Sequence, residues 1–269
     1  VPPVGDYNPQ VIERFIDFYE TRVENPQAFH EELSAHAYRF RNPNARIVKI
    51  FIHFSETGKT GKSLLVSAFD MLYPNCSMIG NPVELMKTQF RGWITETLNL
   101  GIEEAPSKTY GDNDFESFLK QITSSVIVIQ RMNEGPERTA YRCILSINTN
   151  VPDLYGLINA DSATKTRLVI LKFKESAPSN SEWNEFLHEV GLLTSDPNYS
   201  ETRKVFAASF YRYLRDDYVN PFCPNFEEWV PERYDGEDKI RILRELQFHK
   251  CNLPLRFMTN LKIDRKSVV

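Results

Sequence analysis

Apolar and polar positions change period several times along the chain, and the changes outline its elements. Val11, Ile12, Phe15, Phe18 and Tyr19 recur at helical spacing behind Asn8-Pro9. Asparagine is a good N-cap there, and proline at the first helical position gives up only an N–H that had no partner. Asn25-Pro26 repeats this start, with Phe29, Leu33 and Tyr38 as the next apolar face, until Arg41-Asn42-Pro43-Asn44 breaks it. From Ile47 to Phe54 the chain turns β-rich and reads as a buried strand. After a loop of Gly, Lys and Thr, residues 62–73 read as a helix with Leu64, Leu65, Ala68, Phe69 and Leu72 on one side. Asn81-Pro82 opens a short helix, 98–102 is a strand and 114–122 a helix. Residues 126–131 and 139–146 read as two strands joined at Asn133-Glu134-Gly135-Pro136, a hairpin turn composition. Residues 168–173 make one more strand.

Strands that alternate with helices up to about residue 175 predict an α/β fold with a mainly parallel sheet flanked by helices. Past Pro178 the pattern becomes helical (181–193 and 201–218) and then Pro-, Trp- and aromatic-rich. The organisation expected is an N-terminal helical segment at 1–45, a core at 46–175 and a mostly helical C-terminal appendage at 176–269.

Composition narrows the partners. A chain of 269 residues, 41% apolar and 25% charged, buries roughly three quarters of its unfolded surface and needs no disulfide or metal to hold a core. No apolar run approaches the roughly 18 residues of a membrane span, so no membrane partner is expected. The net charge of −4 argues against wrapping nucleic acid over the whole surface and leaves a local patch, a channel or an assembled ring. Cys76, Cys143, Cys223 and Cys251 lie far apart, without C-x-x-C or zinc-finger spacing; they read as reduced thiols of an intracellular protein. His53 lies inside an apolar strand and reads as a core histidine. The chain opens on Val1 with no basic and apolar leader, which reads as an excised or processed piece of a longer protein.

The chemistry concentrates behind the first strand. Ile50-Phe51-Ile52-His53-Phe54-Ser55 runs into Glu56-Thr57-Gly58-Lys59-Thr60-Gly61-Lys62-Ser63, a G-K-S where a strand gives way to a helix. Backbone N–H groups and a helix N-terminus face an anion in that context. Lys62 would reach the β- and γ-phosphates of ATP, and the Ser63 hydroxyl would hold Mg²⁺. The full pattern asks for glycine where Glu56 stands. Glu103-Glu104 places two adjacent carboxylates at the end of a short strand, one to orient the Mg²⁺ shell and one to polarise water. Asn148 ends an apolar strand (143–147) with an amide able to bond a γ-phosphate or the attacking water. Lys165-Thr166-Arg167 leads into the last strand with cations placed as an arginine finger would be.

Taken in order, the P-loop, Glu-Glu, hairpin, strand-Asn and Arg-strand within about 120 residues resemble the superfamily 3 helicases of viruses and plasmids. Most of the likeness is to the helicase part of viral primase–helicases of the poxvirus and giant-virus type. Ser146-Ile147-Asn148-Thr149-Asn150 is also similar to the third motif of parvovirus replication proteins. The resemblance covers residues 30–175. It implies an AAA+-like P-loop NTPase core that assembles as a homo-hexameric ring, with ATP at subunit interfaces and single-stranded DNA or RNA in the pore. It implies Glu103 in the metal shell, Glu104 as the water-activating group, Asn148 as sensor, and Arg167 as a finger acting on the neighbouring subunit, with Lys165 as second candidate. The hairpin would enter the pore, where Arg131 and Arg138 flank the tip and would meet the strand. A primase or other replication protein is a partner expected through regions outside the chain, and the host cell the location if the source is viral.

Two other readings stay open on the sequence. Glu56 and the acidic balance also fit a degenerate P-loop fold that serves as a nucleic-acid-binding or assembly module with little hydrolysis. A P-loop phosphotransferase is the third reading, although such an enzyme has no use for a pore hairpin.

Overall fold

Two proline-started helices open the chain, α1 (Pro9–Arg22) and α2 (Pro26–Arg41). At α2 the Asn25 side chain accepts the Gln27 amide at 2.9 Å. Asn8 makes no such side-chain cap; its own amide donates to Ser209 Oγ at 2.8 Å and ties the start of α1 to a distant helix. These elements come from a computed structural model of the chain, which describes residues 2–80, 92–103, 126–129, 135–139, 142–150, 162–225, 228–230 and 234.

Among the described residues seven strands follow: β1 (Ile50–Phe54), β2 (Ser77–Gly80), β3 (Asn99–Ile102), β4 (Ile127–Ile129), β5 (Glu137–Thr139), β6 (Ile144–Thr149) and β7 (Leu168–Lys172). Five of them form one parallel sheet in the order β2-β3-β6-β1-β7. β1 and β6 are buried along their whole length, which is why they read as near-continuous apolar runs rather than alternating ones. The register sets His53 beside Asn148 and Phe54 beside Thr149, so the ends of β1, β3 and β6 meet at one edge. α3 (Lys62–Asp70) covers β3 closely, because a Cβ on Gly101 would stand 2.5 Å from Val66 Cγ1. The result is an α/β, P-loop NTPase-like core with helices against a mostly parallel sheet.

The first helix and the helices after β7 share one aromatic core. α4 (Ser162–Arg167) leads directly into β7, and α5 (Asn180–Glu189) begins with a reciprocal cap between Ser179 and Glu182. α6 (Tyr199–Arg212) ends in a π-helical turn, Tyr213–Asp217. Phe18 of α1 stacks on Phe186 of α5 at 3.7 Å between ring centroids. Phe15 meets Phe206 and Phe210 of α6 at 5.1 and 5.3 Å. Each buried phenylalanine adds about 1.5–3 kcal/mol, so this cluster holds α1, α5 and α6 together.

The expected hairpin differs from the observed one. β4 pairs antiparallel with β5, with Val128 opposite Arg138, and residues 139–146 are not a single strand. β5 is exposed or half-buried, whereas β6 is fully buried between β3 and β1. The apolar stretch thus spans the end of a surface ribbon and a central strand, two environments that composition does not separate. The sequence reading also missed β2, a short edge strand paired with β3. The helices expected from Asn81 and over 114–122 lie outside the described residues, as do Glu104, Arg131 and Cys251. No described helix is long and apolar enough to cross a membrane. Cys76 and Cys223 are free thiols, and Cys143 is buried.

Candidate phosphate-binding site

The loop between β1 and α3 curls through two left-handed positions, Lys59 (φ 62°) and Gly61 (φ 101°). Only glycine adopts the second without strain, and the tip of the Trp183 ring would lie 3.3 Å from a Cβ there. Glu56 is not among the described residues with positive φ, so the backbone does not require glycine at that position. Its side chain is exposed. Glu175, just past β7, accepts the Glu56 and Thr57 amides at 2.9 Å each and pins the loop's first half. Burial alone would lift the Glu175 carboxyl, but hydrogen bonds from Thr57 and these amides carry it below its ordinary value. From the other side, the buried Tyr19 hydroxyl donates to the Gly61 carbonyl at 2.9 Å.

Inside the loop, Lys62 is buried and folded back on neutral oxygens. Its ammonium donates to Ser55 Oγ, to Thr60 Oγ1 at 3.2 Å and to the Thr57 carbonyl at 3.4 Å. Burial lowers its pKa from the ordinary 10.5, against the pull of Glu175 and Glu103.

Three side chains from different elements converge beside it. Ser63 Oγ, at the start of α3, donates to Glu103 Oε2 at 3.1 Å. Asn148 Nδ2, at the end of β6, donates to Glu103 Oε1 at 3.0 Å. These residues open into a cavity of about 470 Å³, bounded by the loop from Gly58 to Leu64, by Thr149 and Asn150 at the end of β6, and by Pro178, Asn180 and Trp183. The Ser63 hydroxyl and Glu103 carboxylate are hard oxygen donors within reach of each other. Among the described residues no cluster of three or more His, Cys, Asp or Glu side chains could cage a metal. That donor set suits Mg²⁺, which is commonly held by one or two protein oxygens together with substrate phosphates. The arrangement as a whole offers a helix N-terminus, a buried ammonium and an amide donor to an anion at the carboxyl ends of the strands.

The chain is similar in fold to the C-terminal region of NrS-1. Two apo structures of that region match with TM-scores of 0.58 and 0.59 at 18% and 16% identity, and each match covers the whole of this chain and 61% of the other. A JCV helicase structure also matches, at 12% identity over 91% of this chain and 68% of that one, with a TM-score of only 0.41. The chain thus spans about three fifths of the NrS-1 region. Residues 53–167 match a family described as one of unknown function, DUF5906. No curated protein matches.

The remaining sequence-derived candidates lie elsewhere. Arg167 closes α4 next to Leu168, which pairs with Ile50, whereas Phe54 at the loop end pairs with Lys172. Five residue steps, about 16 Å of strand, separate Arg167 from the level of the loop, and Lys165 lies two residues further back on α4. Arg138 is exposed on β5, and its proposed companion Arg131 is outside the described residues. Sequence reasoning missed Trp183, Pro178 and Asn180, which wall the cavity from the C-terminal region, and Tyr19 and Glu175, which brace the loop. These residues carry no motif; only the fold brings them here.

Proposed function

We propose that this chain is the ATPase core of a helicase or translocase of viral genome replication, working as a homo-hexameric ring on single-stranded DNA or RNA. The observation that carries the reading is the convergence of Ser63, Glu103 and Asn148 beside a buried Lys62 at a strand-to-helix junction. In this reading Lys62 and the amides of Gly58 to Ser63 bind the β- and γ-phosphates, and Asn148 donates to the terminal phosphate. Ser63 and Glu103 would hold Mg²⁺, which neutralises phosphate charge when bound. Glu104 follows Glu103 directly and takes the role of general base for the attacking water. Arg167 sits at the far end of the sheet from its own loop, so its part in hydrolysis is to reach the site of a neighbouring subunit. Arg131 and Arg138 grip the strand at the hairpin.

ATP turnover measured with and without single strands tests this, together with particle mass in the presence of a non-hydrolysable analogue. We expect hydrolysis that single strands stimulate. Glu104→Gln should keep ATP bound but stop turnover. Arg131→Ala/Arg138→Ala should keep basal turnover and lose the stimulation, with the salt slope of strand binding flattened by about one unit per lost contact. A wild-type protein that binds strands and assembles but never hydrolyses ATP would return the chain to the degenerate-module reading.

A further inference from the structure

One polar chain runs from the middle of α2, through the sheet, into the cavity. Glu32 and His53 are both fully buried. Glu32 Oε1 accepts Ser146 Oγ at 2.7 Å, and its Oε2 lies 2.7 Å from His53 Nε2. His53 Nδ1 lies 2.9 Å from Asn148 Oδ1, across the register that pairs the two residues. The far end of the Asn148 amide donates to Glu103.

Counting donors assigns the protons. Glu103 as a carboxylate only accepts, so the Asn148 NH₂ must face it, which leaves Oδ1 to accept from His53 Nδ1–H. A second proton lies between Nε2 and Glu32: the two are an imidazolium beside a carboxylate, or an imidazole beside a carboxylic acid. Either way the pair is neutral overall, as a pair with no exposure must be. Turning the amide over would set its oxygen against the Glu103 carboxylate and its NH₂ against the Nδ1 hydrogen.

We propose that Glu32 and His53 are positioning residues that lock the Asn148 amide with its NH₂ facing the phosphate cavity. The inference rests on the reading of that cavity given above. A donor held in place beforehand needs no reorganisation when charge develops on a phosphate oxygen, which is where such a group gains its effect. The lock keeps the donor end outward whether Glu103 or a phosphate accepts it.

Two measurements test the lock. In ¹⁵N-histidine-labelled protein without nucleotide, a long-range ¹⁵N–¹H correlation should show His53 Nδ1 carrying a proton; a bare Nδ1 would overturn the proposal. In steady-state kinetics, Glu32→Leu/His53→Phe leaves no buried charge behind, although Ser146 Oγ and Asn148 Oδ1 each lose a partner, so a thermal melt accompanies the assay. It should lose kcat by roughly 10- to 100-fold while KM for ATP stays within about threefold. Glu32→Gln/His53→Asn restores an uncharged N–H donor at the place of Nδ1 and should bring kcat back to within about threefold of wild type. Unchanged kcat in the first pair, or no recovery in the second, in proteins that melt like the wild type, also overturns the lock. A wild-type protein with no ATP turnover overturns the phosphate-site reading instead, and the histidine spectrum then decides the lock alone.

Discussion

Two buried lysines flank β1, and their surroundings differ in kind. Lys49, just before the strand, carries the Glu31 carboxylate on its ammonium and lies 4.0 Å from the centre of the Trp229 ring. The Trp229 indole N–H donates to that same carboxylate at 2.8 Å. Lys62, just after the loop, is bonded to two hydroxyls and a carbonyl. Among the described residues no carboxylate comes within ion-pair distance of it. A buried cation with its counter-charge in contact is a fixture of the fold, whereas one held only by neutral oxygens has no contacting counter-charge to lose, which is the arrangement the proposed phosphate site would use.

Substitution at each lysine separates the two roles. Lys62→Ala should cut ATP turnover by about 10²–10³ or more, the scale for loss of one preorganised charge donor. Its melting point should stay close to wild type, because no charge is left buried without a partner. Steady-state hydrolysis and a thermal melt on the same sample check both halves. A melting loss as large as that of a Lys49 variant would erase the contrast.

Lys49→Ala should show the mirror image. Glu31 stays behind, almost fully buried, so the fold should lose about 3–5 kcal/mol, read from denaturant unfolding. Wherever the variant remains folded, its affinity for ATP should match the wild type. Weakened nucleotide binding in folded Lys49→Ala protein would tie the two ends of β1 together.

The finest test uses pH. Burial lowers Lys62 below its ordinary 10.5, so the free protein loses that proton earlier on the way to alkaline pH, while a bound phosphate favours the charged form. Affinity for ATP should therefore be full below the lowered pKa and fall as pH rises through it. Between the lowered and the restored pKa, binding should take up a fraction of a proton. Calorimetric titrations in two buffers of different ionisation heat measure that uptake, and Lys62→Arg should abolish it because a guanidinium stays charged throughout. Equal heats for the wild type would show that Lys62 does not meet the anion.

What could be read from the sequence divides along the same line as local and distant structure. Lys62, Ser63, Glu103 and Asn148 were legible because each sits at a junction whose chemistry is written in a few adjacent residues. The starts of α1 and α2 were legible from Asn-Pro for the same reason. Glu32 was invisible, since a glutamate inside an amphipathic helix ordinarily faces water; it is buried only because His53 and Ser146 meet it across the sheet. His53 was read as a core residue and is buried, but its bond to Asn148 depends on a register no sequence pattern states. Trp183 belongs to a region without motifs and reaches the cavity through its contacts with Phe18 and Phe186. The second arm of the hairpin was misplaced because one stretch of β-forming residues serves a surface ribbon and then a central strand.

The shared aromatic core has a consequence for how the protein is made. Phe15 finds its partner Phe210 only after 195 further residues have been synthesised, roughly 10–40 s at 5–20 residues per second. Until then α1 emerges from the ribosome with its aromatic face bare, a target for chaperones and for misassociation. The Tyr19 hydroxyl that holds the Gly61 carbonyl rides on that same helix, so the loop lacks a seated brace until α6 exists. The loop between β1 and α3 is therefore translated well before the helix that completes its support.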